Sequence, residues 1–248
     1  MERPSLIILK SELAPFLGLK ITSVNGNSKQ INIAKLQSRY LTSVKIWGKH
    51  LLLGFDRVIY LRVHFLMFCS CRINEKKLDR IPRLSLKFGT GELNLYTCSV
   101  KPLLQTPNRE YDWAIDPMAR QWDPDRAAAS IHARKTSFLC DILLDQTTFA
   151  GVRNIIKNEV LFKLKLHPMR AIGTLSPLEI KKVVSETREY CFQCLKWKKY
   201  FVLKKNWHIY QKKLCPACSK KIMLKKTGLL QRVSFFCSRC QPMRSPKR

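Results

Sequence analysis

Apolar positions recur along this chain in three rhythms, and each predicts a different kind of element. In residues 1–18 the apolar run Leu6-Ile7-Ile8-Leu9 follows Pro4-Ser5 closely, which predicts a short helix with Ser5 at its N-cap and Gly18 at its end. From about 19 to 100 the rhythm shortens to that of strands. TSVKIWGKHLLLGF and VIYLRVHFLMF, both rich in β-branched, aromatic and leucine residues, flank an Asp56-Arg57 turn and predict a hairpin. RLSLKF and ELNLYT flank Gly89-Thr90-Gly91 and predict a second, with Leu84, Leu86 and Phe88 on one side. That is the pattern of an antiparallel β-sandwich or barrel.

Near residue 120 the period lengthens to that of helices. Asp123-Pro124 is an N-cap followed by a proline at the first helical position, opening DRAAASIHAR. SFLCDILLDQ and IIKNEVLFKLKL follow, joined through AGVRN, and Ser176-Pro177-Leu178-Glu179 is a capping box that opens a helix to about residue 199. The last section, about 206–248, pairs cysteines around short strand-like pieces. The fold class is therefore α+β, with no internal repeat: a β-sandwich domain over 1–120 with a leading helix, a helical domain over 121–205 and a small metal ribbon over 206–248.

Composition narrows the partner. The chain is 46% hydrophobic, enough to bury a core, yet carries 46 Lys and Arg against 17 Asp and Glu, a net charge of +29. Self-repulsion on that scale disfavours a compact chain unless a polyanion neutralises it, and nucleic acid is the leading candidate. An anionic membrane surface is the weaker alternative. From Tyr190 to Arg248 there are sixteen Lys or Arg and not one Asp or Glu, as expected of a dedicated polyanion-binding module. No apolar stretch approaches the ~18 residues of a membrane span, and the start lacks a signal peptide's features, so a soluble, cytoplasmic protein is expected.

Ten cysteines in such a chain argue for metal or burial rather than disulfides. Cys215 and Cys218, then 18 residues, then Cys237 and Cys240, place four thiolates for one structural Zn²⁺ with a hairpin between them. Four thiolates leave no open position for catalysis, and the metal would supply this section's folding energy. Cys191 and Cys194 recur with Ile180, Val183, Val184 and Thr187 along one helix face, which predicts burial; Cys69, Cys71, Cys98 and Cys140 are read as core fillers.

The combination of a β domain, LLDQTTFAGVRNIIKNEVLF and a four-cysteine ribbon running LLQRVSFFCSRCQ resembles the formamidopyrimidine-DNA glycosylase/endonuclease VIII family, bacterial endonuclease VIII in particular. LLDQ-x4-AG-x-x-N-x5-E is similar to that family's helix–two-turn–helix signature, QR-x4-C-x2-CQ to its zinc-finger hairpin, and WGKHLLLGF and RVHFLMF to blocks of its β domain. The resemblance implies a base-excision-repair enzyme that acts on damaged double-stranded DNA as a monomer, in the bacterial cytoplasm. Such an enzyme flips out an oxidised base, attacks C1′ with its N-terminal amine, and cuts the strand by β- and δ-elimination through a Schiff base.

By position, the resemblance implies that Met1 supplies the amine, Glu2 the adjacent acid/base, and Lys49 a phosphate contact that assists catalysis. Asn154 and Arg232 would grip the phosphates around the lesion, Glu159 would lie in the active-site region, and Leu66-Met67-Phe68, after His64, would fill the gap left by the flipped base. An α-amine, with a reference pKa near 8, is about a tenth free base at neutral pH, which a lysine is not. Two departures stand out. The family begins Pro-Glu-Gly-Pro after methionine removal, whereas this chain reads Met-Glu-Arg-Pro; either the primary amine of Met1 attacks instead, or the protein binds DNA without cutting it, or the start codon is misplaced. The family's G-x-G-N is here Gly151-Val152-Arg153-Asn154, which adds either a phosphate contact or a disturbance of the turn. Charge and paired cysteines by themselves also suit an RNA- or ribosome-associated zinc-ribbon protein. The preferred lesion, oxidised pyrimidine or purine, is not legible.

Overall fold

A computed structural model describes residues 2–243, with Met67 and Phe68 described by their backbone alone. Two compact units make up the chain: Arg3–Asp112, and Trp113 onward together with Glu2.

The first unit opens on helix α1 (Arg3–Glu12). Ser5 lies inside this helix rather than at its cap, because Pro4 is tolerated in a first turn and the helix starts three residues early. Pro15 lacks an N–H for a further α-turn, so the chain tightens into a 3₁₀ turn at Ala14–Phe16 and leaves it at Gly18, φ +80°. Among the described residues six strands form one antiparallel sheet: β1 (Ile21–Asn25), β2 (Leu41–Trp47), β3 (His50–Phe55), β4 (Ile59–Ile73), β5 (Leu84–Phe88) and β6 (Gly91–Pro102). Their order is β1-β5-β6-β4-β3-β2, and the two edge strands meet at a Lys20–Tyr40 bridge, flanked by the Ile21 N–H to Arg39 carbonyl bond of 2.8 Å. The sheet thus closes on itself over a core that includes Leu6, Leu13, Leu53, Phe55, Phe65, Leu86 and Phe88. Phe16 of the 3₁₀ turn stacks on Phe88 at 4.8 Å.

The first expected hairpin is a three-stranded meander, since Gly48, at φ +49°, breaks WGKH into a turn between β2 and β3. The second hairpin forms as expected, β5 pairing β6 from Leu84–Leu95 to Phe88–Gly91. The long β4 is interrupted: Phe65 pairs Cys98 and Ser70 pairs Tyr96, five steps on β4 against two on β6. Three extra residues therefore bulge from β4, opposite Thr97 at φ +49°.

The second unit is mainly helical. After one short turn, α2 (Pro107–Glu110), that closes the first unit, it contains α3 (Pro124–His132), α4 (Leu139–Ile142), α5 (Asn154–Lys163) and α6 (Pro177–Lys199). Asp123 caps α3, accepting from Asp125 and Arg126 N–H at 3.0 Å, and the Ser176/Glu179 capping box forms at α6. Glu179 also takes both Arg170 Nη atoms, at 2.7 and 3.0 Å, so one carboxylate closes the helix and fixes the loop before it. Cys191 and Cys194 lie buried on α6 with Ile180, Val183, Val184 and Thr187.

Between α4 and α5 the LLDQTTFAG stretch is held by its own side chains. Asp145 accepts from Arg134 and from Thr147 N–H, while Gln146 receives Gly151 N–H at 2.9 Å and donates to the Leu144 and Val152 carbonyls. Gly151 needs its glycine, at φ +91°; Arg153 has φ −135°, ordinary extended backbone, so the arginine leaves the turn unstrained. Further along the chain, β7 (Met223–Thr227) and β8 (Arg232–Phe236) pair as a hairpin. Its tip is seated on α4, where Asp141 accepts from Leu229 and Leu230 N–H at 2.9 and 3.1 Å. Gly228, at φ +67°, lies so close to that carboxylate that a β-carbon would collide with it.

Gly228→Ala should accordingly lower stability by about 1–2 kcal/mol from left-handed strain alone, and by more if Asp141 is displaced. Thermal unfolding followed by near-UV absorbance checks this, with Gly89→Ala, where a β-carbon meets open space, as the neutral comparison.

Candidate functional site

The four ribbon cysteines converge. Their sulfurs all lie within 4.8 Å of one another, with Cys218–Cys237 at 3.4 Å and Cys215–Cys240 at 3.8 Å. Metal–thiolate bonds of about 2.3 Å place tetrahedral sulfurs about 3.8 Å apart, so the set fits a closed four-thiolate centre. Each pair sits on a tight turn: Ser219 N–H returns to the Cys215 carbonyl and Gln241 N–H to the Cys237 carbonyl, both at 2.8 Å. Gln241 is fully buried; its Oε1 accepts from Cys237 N–H and its Nε2 donates to the Leu166 carbonyl at 2.8 Å, tying the centre to the end of α5. Around the centre, Ile209, Ile222, Phe162 and Phe235 form only a small apolar cluster.

Helix α5 meets this hairpin with polar side chains. Asn154 Nδ2 donates to the Val233 carbonyl at 2.9 Å, and Asn158 Oδ1 accepts from Phe235 N–H at 2.9 Å. Lys157, fully buried, donates to Ser234 Oγ at 2.7 Å and to the same Val233 carbonyl at 3.2 Å. Arg232, exposed, opens β8 immediately before Val233, so Asn154 and Arg232 are brought to one edge of the hairpin. Glu159 is buried, and its carboxylate collects the N–H groups of His208, Ile209 and Tyr210 at 2.8–2.9 Å, with His208 Nδ1 at 3.2 Å. The geometry makes it the anchor of the segment leading to Cys215.

Glu2 belongs to this unit. It accepts the backbone N–H of Ile155, in the first turn of α5, and faces Arg153 and Lys198. Burial pushes its carboxyl up to about 6, against the pull of Arg153, the Ile155 N–H and Lys198. Tyr190 lies beside Glu159 and Glu2 in the same surroundings, its phenol held far above the usual range by burial and by those carboxylates. A carboxyl poised near neutrality beside cationic groups is suited to moving a proton. Met1 lies outside the described residues.

The remaining expected residues are on the first unit. Lys49 is in the β2–β3 turn, and His64 of β4 pairs across to His50 of β3, their rings 5.1 Å apart. Trp47 and Tyr111 complete an aromatic group around His50, with centroid distances of 5.7 Å each. Burial, with His64, Arg62 and Lys49 adding to it, drives His50 down to about 3, and burial lifts Tyr111 to about 12. Leu66 projects from the β4 bulge, 48% exposed; the Met67 and Phe68 side chains lie outside the described residues. His50, Tyr111 and Lys157 were not anticipated as site residues. The WGKH turn was the one available signal for His50; nothing in the local pattern marks Tyr111 or Lys157.

Among the described residues no helix is long and apolar enough to cross a membrane. The family model for the formamidopyrimidine-DNA glycosylase H2TH domain matches residues 113–202. Endonuclease 8-like 3 of Xenopus laevis is 30% identical over 226 residues, covering 86% of this chain and 36% of that protein. Endonuclease 8-like 2 of Bos taurus is 25% identical, covering 97% of this chain and 95% of that protein. The chain thus spans about a third of the first relative and nearly all of the second. In fold it is similar to the Lactococcus lactis formamidopyrimidine-DNA glycosylase solved non-covalently bound to DNA containing an AP site, with a TM-score of 0.83, 22% identity, and 98% and 100% of the two chains covered. Fold, the helix–two-turn–helix match over residues 113–202 and the four-cysteine hairpin together support the formamidopyrimidine-DNA glycosylase/endonuclease VIII family.

Proposed function

We propose that the chain is a DNA glycosylase with AP-lyase activity, acting as a monomer on damaged double-stranded DNA. The observation that carries this reading is Glu2: a buried carboxyl poised near pH 6 at the N-terminus of α5, in the unit that also holds Asn154 and Arg232. Its chain neighbour Met1 would supply the nucleophile. The amine lone pair bonds to C1′ and the damaged base leaves with the glycosidic electrons, taking up a proton from solvent. The amine then gives up one proton as the C1′–O4′ bond breaks, O4′ keeping that bond's electrons and taking up a proton, which leaves the protonated Schiff base. Removal of a C2′ proton then expels the 3′ phosphate. Glu2 accepts one of these protons, and Arg153 and Lys198 keep its carboxylate accessible despite burial. Lys49, Asn154 and Arg232 would hold phosphates; His64 and the Leu66-Met67-Phe68 bulge would support the opened helix; Glu159 would shape the site by fixing residues 208–210. One Zn²⁺ in the cysteine centre would be structural. The bacterial cytoplasm expected from sequence draws no support from the two endonuclease 8-like relatives above, which are vertebrate proteins.

Met1 in place of the family's proline favours a second reading, a member that binds DNA without cutting it. Borohydride trapping on a duplex with an abasic site separates the two. The enzyme reading expects a covalent adduct whose mass maps to the N-terminal peptide; intact binding with neither adduct nor nicking leaves the second reading.

The pH profile should report Glu2. The amine must be neutral, so the trapping rate climbs toward about pH 8. Because the Glu2 carboxylate is present above about 6 and lost as pH falls through it, the decline steepens below 6. Glu2→Gln should lower the rate about 10²-fold or more and remove the extra steepness. A profile of equal steepness on both sides of pH 6 in the wild type would sink this role.

Chelation of the metal should release one equivalent of zinc per chain, unfold the region from about 206 and abolish DNA binding, as should Cys237→Ser. Metal release measured with a colorimetric zinc indicator, together with gel-shift binding, checks both.

A further inference from the structure

We propose that Lys157 is a positioning residue of the phosphate grip: its buried ammonium ties the β7–β8 hairpin to α5 and sets Asn154 and Arg232 in register for a DNA backbone. This rests on the DNA-binding reading above.

The geometry is specific. Lys157 and Asn154 donate to one and the same oxygen, the Val233 carbonyl, at 3.2 and 2.9 Å; Val233 is the residue after Arg232. Lys157 also donates to Ser234 Oγ at 2.7 Å, and that hydroxyl is 2.5 Å from Thr227 Oγ1 on the opposite strand. A single ammonium therefore joins both strands of the hairpin to the helix that begins at Asn154. Moving it shifts the carbonyl on which Asn154 is aligned and the strand on which Arg232 stands.

Stability does not call for a lysine here. A buried ammonium held by a carbonyl and a hydroxyl is costly, and an apolar side chain of similar volume is often neutral or stabilising at such a place. What the lysine adds is a positive charge one helical turn from Asn154, in a low-dielectric setting where it acts strongly on a nearby phosphate. Lys157 has no exposed surface, so it acts through its neighbours and not by touching DNA. The titratable groups facing it are Cys140 and Asp141 of α4, while β7 and β8 present the Thr227 and Ser234 hydroxyls and the Val233 carbonyl. Asp141 is already engaged with the Leu229 and Leu230 N–H groups. Burial, opposed by Cys140 and Asp141, lowers the ammonium to about 8 from its ordinary 10.5, which gives a window in which its charge can be removed.

The test uses the full chain, its Lys157→Met and Lys157→Gln variants, and a duplex carrying a reduced abasic site. At pH 7, Lys157→Met should bind about tenfold more weakly than wild type while melting at the same temperature or higher. Its salt dependence should keep the wild-type slope, because no phosphate contact is lost. The wild-type advantage over Lys157→Met should shrink toward that of Lys157→Gln as pH rises from 7 to 9.5, since the charge is present below about 8 and lost above it while the neutral amine still donates. The N-terminal amine titrates in all three proteins and cancels in the ratio. In the same interval the unfolded chain binds more protons than the folded one, so wild-type stability rises relative to Lys157→Met. Lys157→Gln keeps a donor without the charge and should bind with intermediate affinity; it decides the matter should the methionine variant fail to fold. Variants within twofold of wild type at pH 7, or a ratio that does not change with pH, would overturn the proposal. Wild-type protein that fails to bind the duplex at all would overturn the DNA-binding reading itself.

Discussion

The second unit depends on one polar seam, the face that α5 turns toward the hairpin. Asn154, Lys157 and Asn158 share one side of that helix and spend their side chains on main-chain groups of β8, while Glu159, further round, holds the N–H groups of residues 208–210. Helices usually dock through apolar ridges, whose match tolerates sliding. Hydrogen bonds between a buried helix face and a strand's main chain do not, because a shift of one residue leaves several buried donors and acceptors unmet. The seam thus fixes register where apolar contact would supply mainly free energy. This suits a hairpin whose own apolar cluster is small and whose folding would draw on the metal.

The same seam explains how so basic a segment remains compact. Within 190–248 there is no carboxylate to offset sixteen cations, so the acids must come from elsewhere. Asp141 of α4 holds the hairpin tip and Glu159 of α5 holds 208–210, each through main-chain N–H groups and not through the lysines and arginines. These two acids are thus used on the backbone rather than on the segment's lysines and arginines.

Much of this was legible in the residues. The caps at Asp123 and Ser176 carry their own chemistry a few positions along, and two Cys-x-x-Cys pairs 18 residues apart leave little choice of arrangement. Alternation around Gly89-Thr90-Gly91 marked the β5–β6 hairpin. What failed was local competition. Pro4 and Pro15 decided the ends of α1 in place of Ser5 and Gly18, and Gly48 split a strand that its apolar content had joined. The β4 bulge was invisible because its residues are as apolar as the strand around it, and the irregular residue opposite it, Thr97 at positive φ, sits on a partner some thirty residues away. Of the site, motif positions were readable, but the environment of each was not. Glu159 offered the pattern of an ordinary helix acid, and only its placement under three consecutive N–H groups shows its job. Lys157 sat in a basic sequence where burial was the last thing to expect.

The Arg153 departure follows from the same logic. A helix N-terminus ordinarily presents free N–H groups to an anion, and the first turn of α5 would be an obvious phosphate seat. Here Ile155 N–H is taken by the Glu2 carboxylate, so a phosphate at that point would meet a negative charge. Arg153, extended and unstrained at the N-cap, faces that carboxylate and offsets it, with Lys198 adding from α6. Burial alone would drive Glu2 further toward its neutral form; Arg153, the Ile155 N–H and Lys198 hold it near 6. A glycine at 153 would leave the backbone open but would supply no compensating charge. In this chain, then, the turn gives up close backbone approach for electrostatic control of the carboxyl, and on the proposed reading a grip on DNA would pass to Asn154 and Arg232, beside the polar seam.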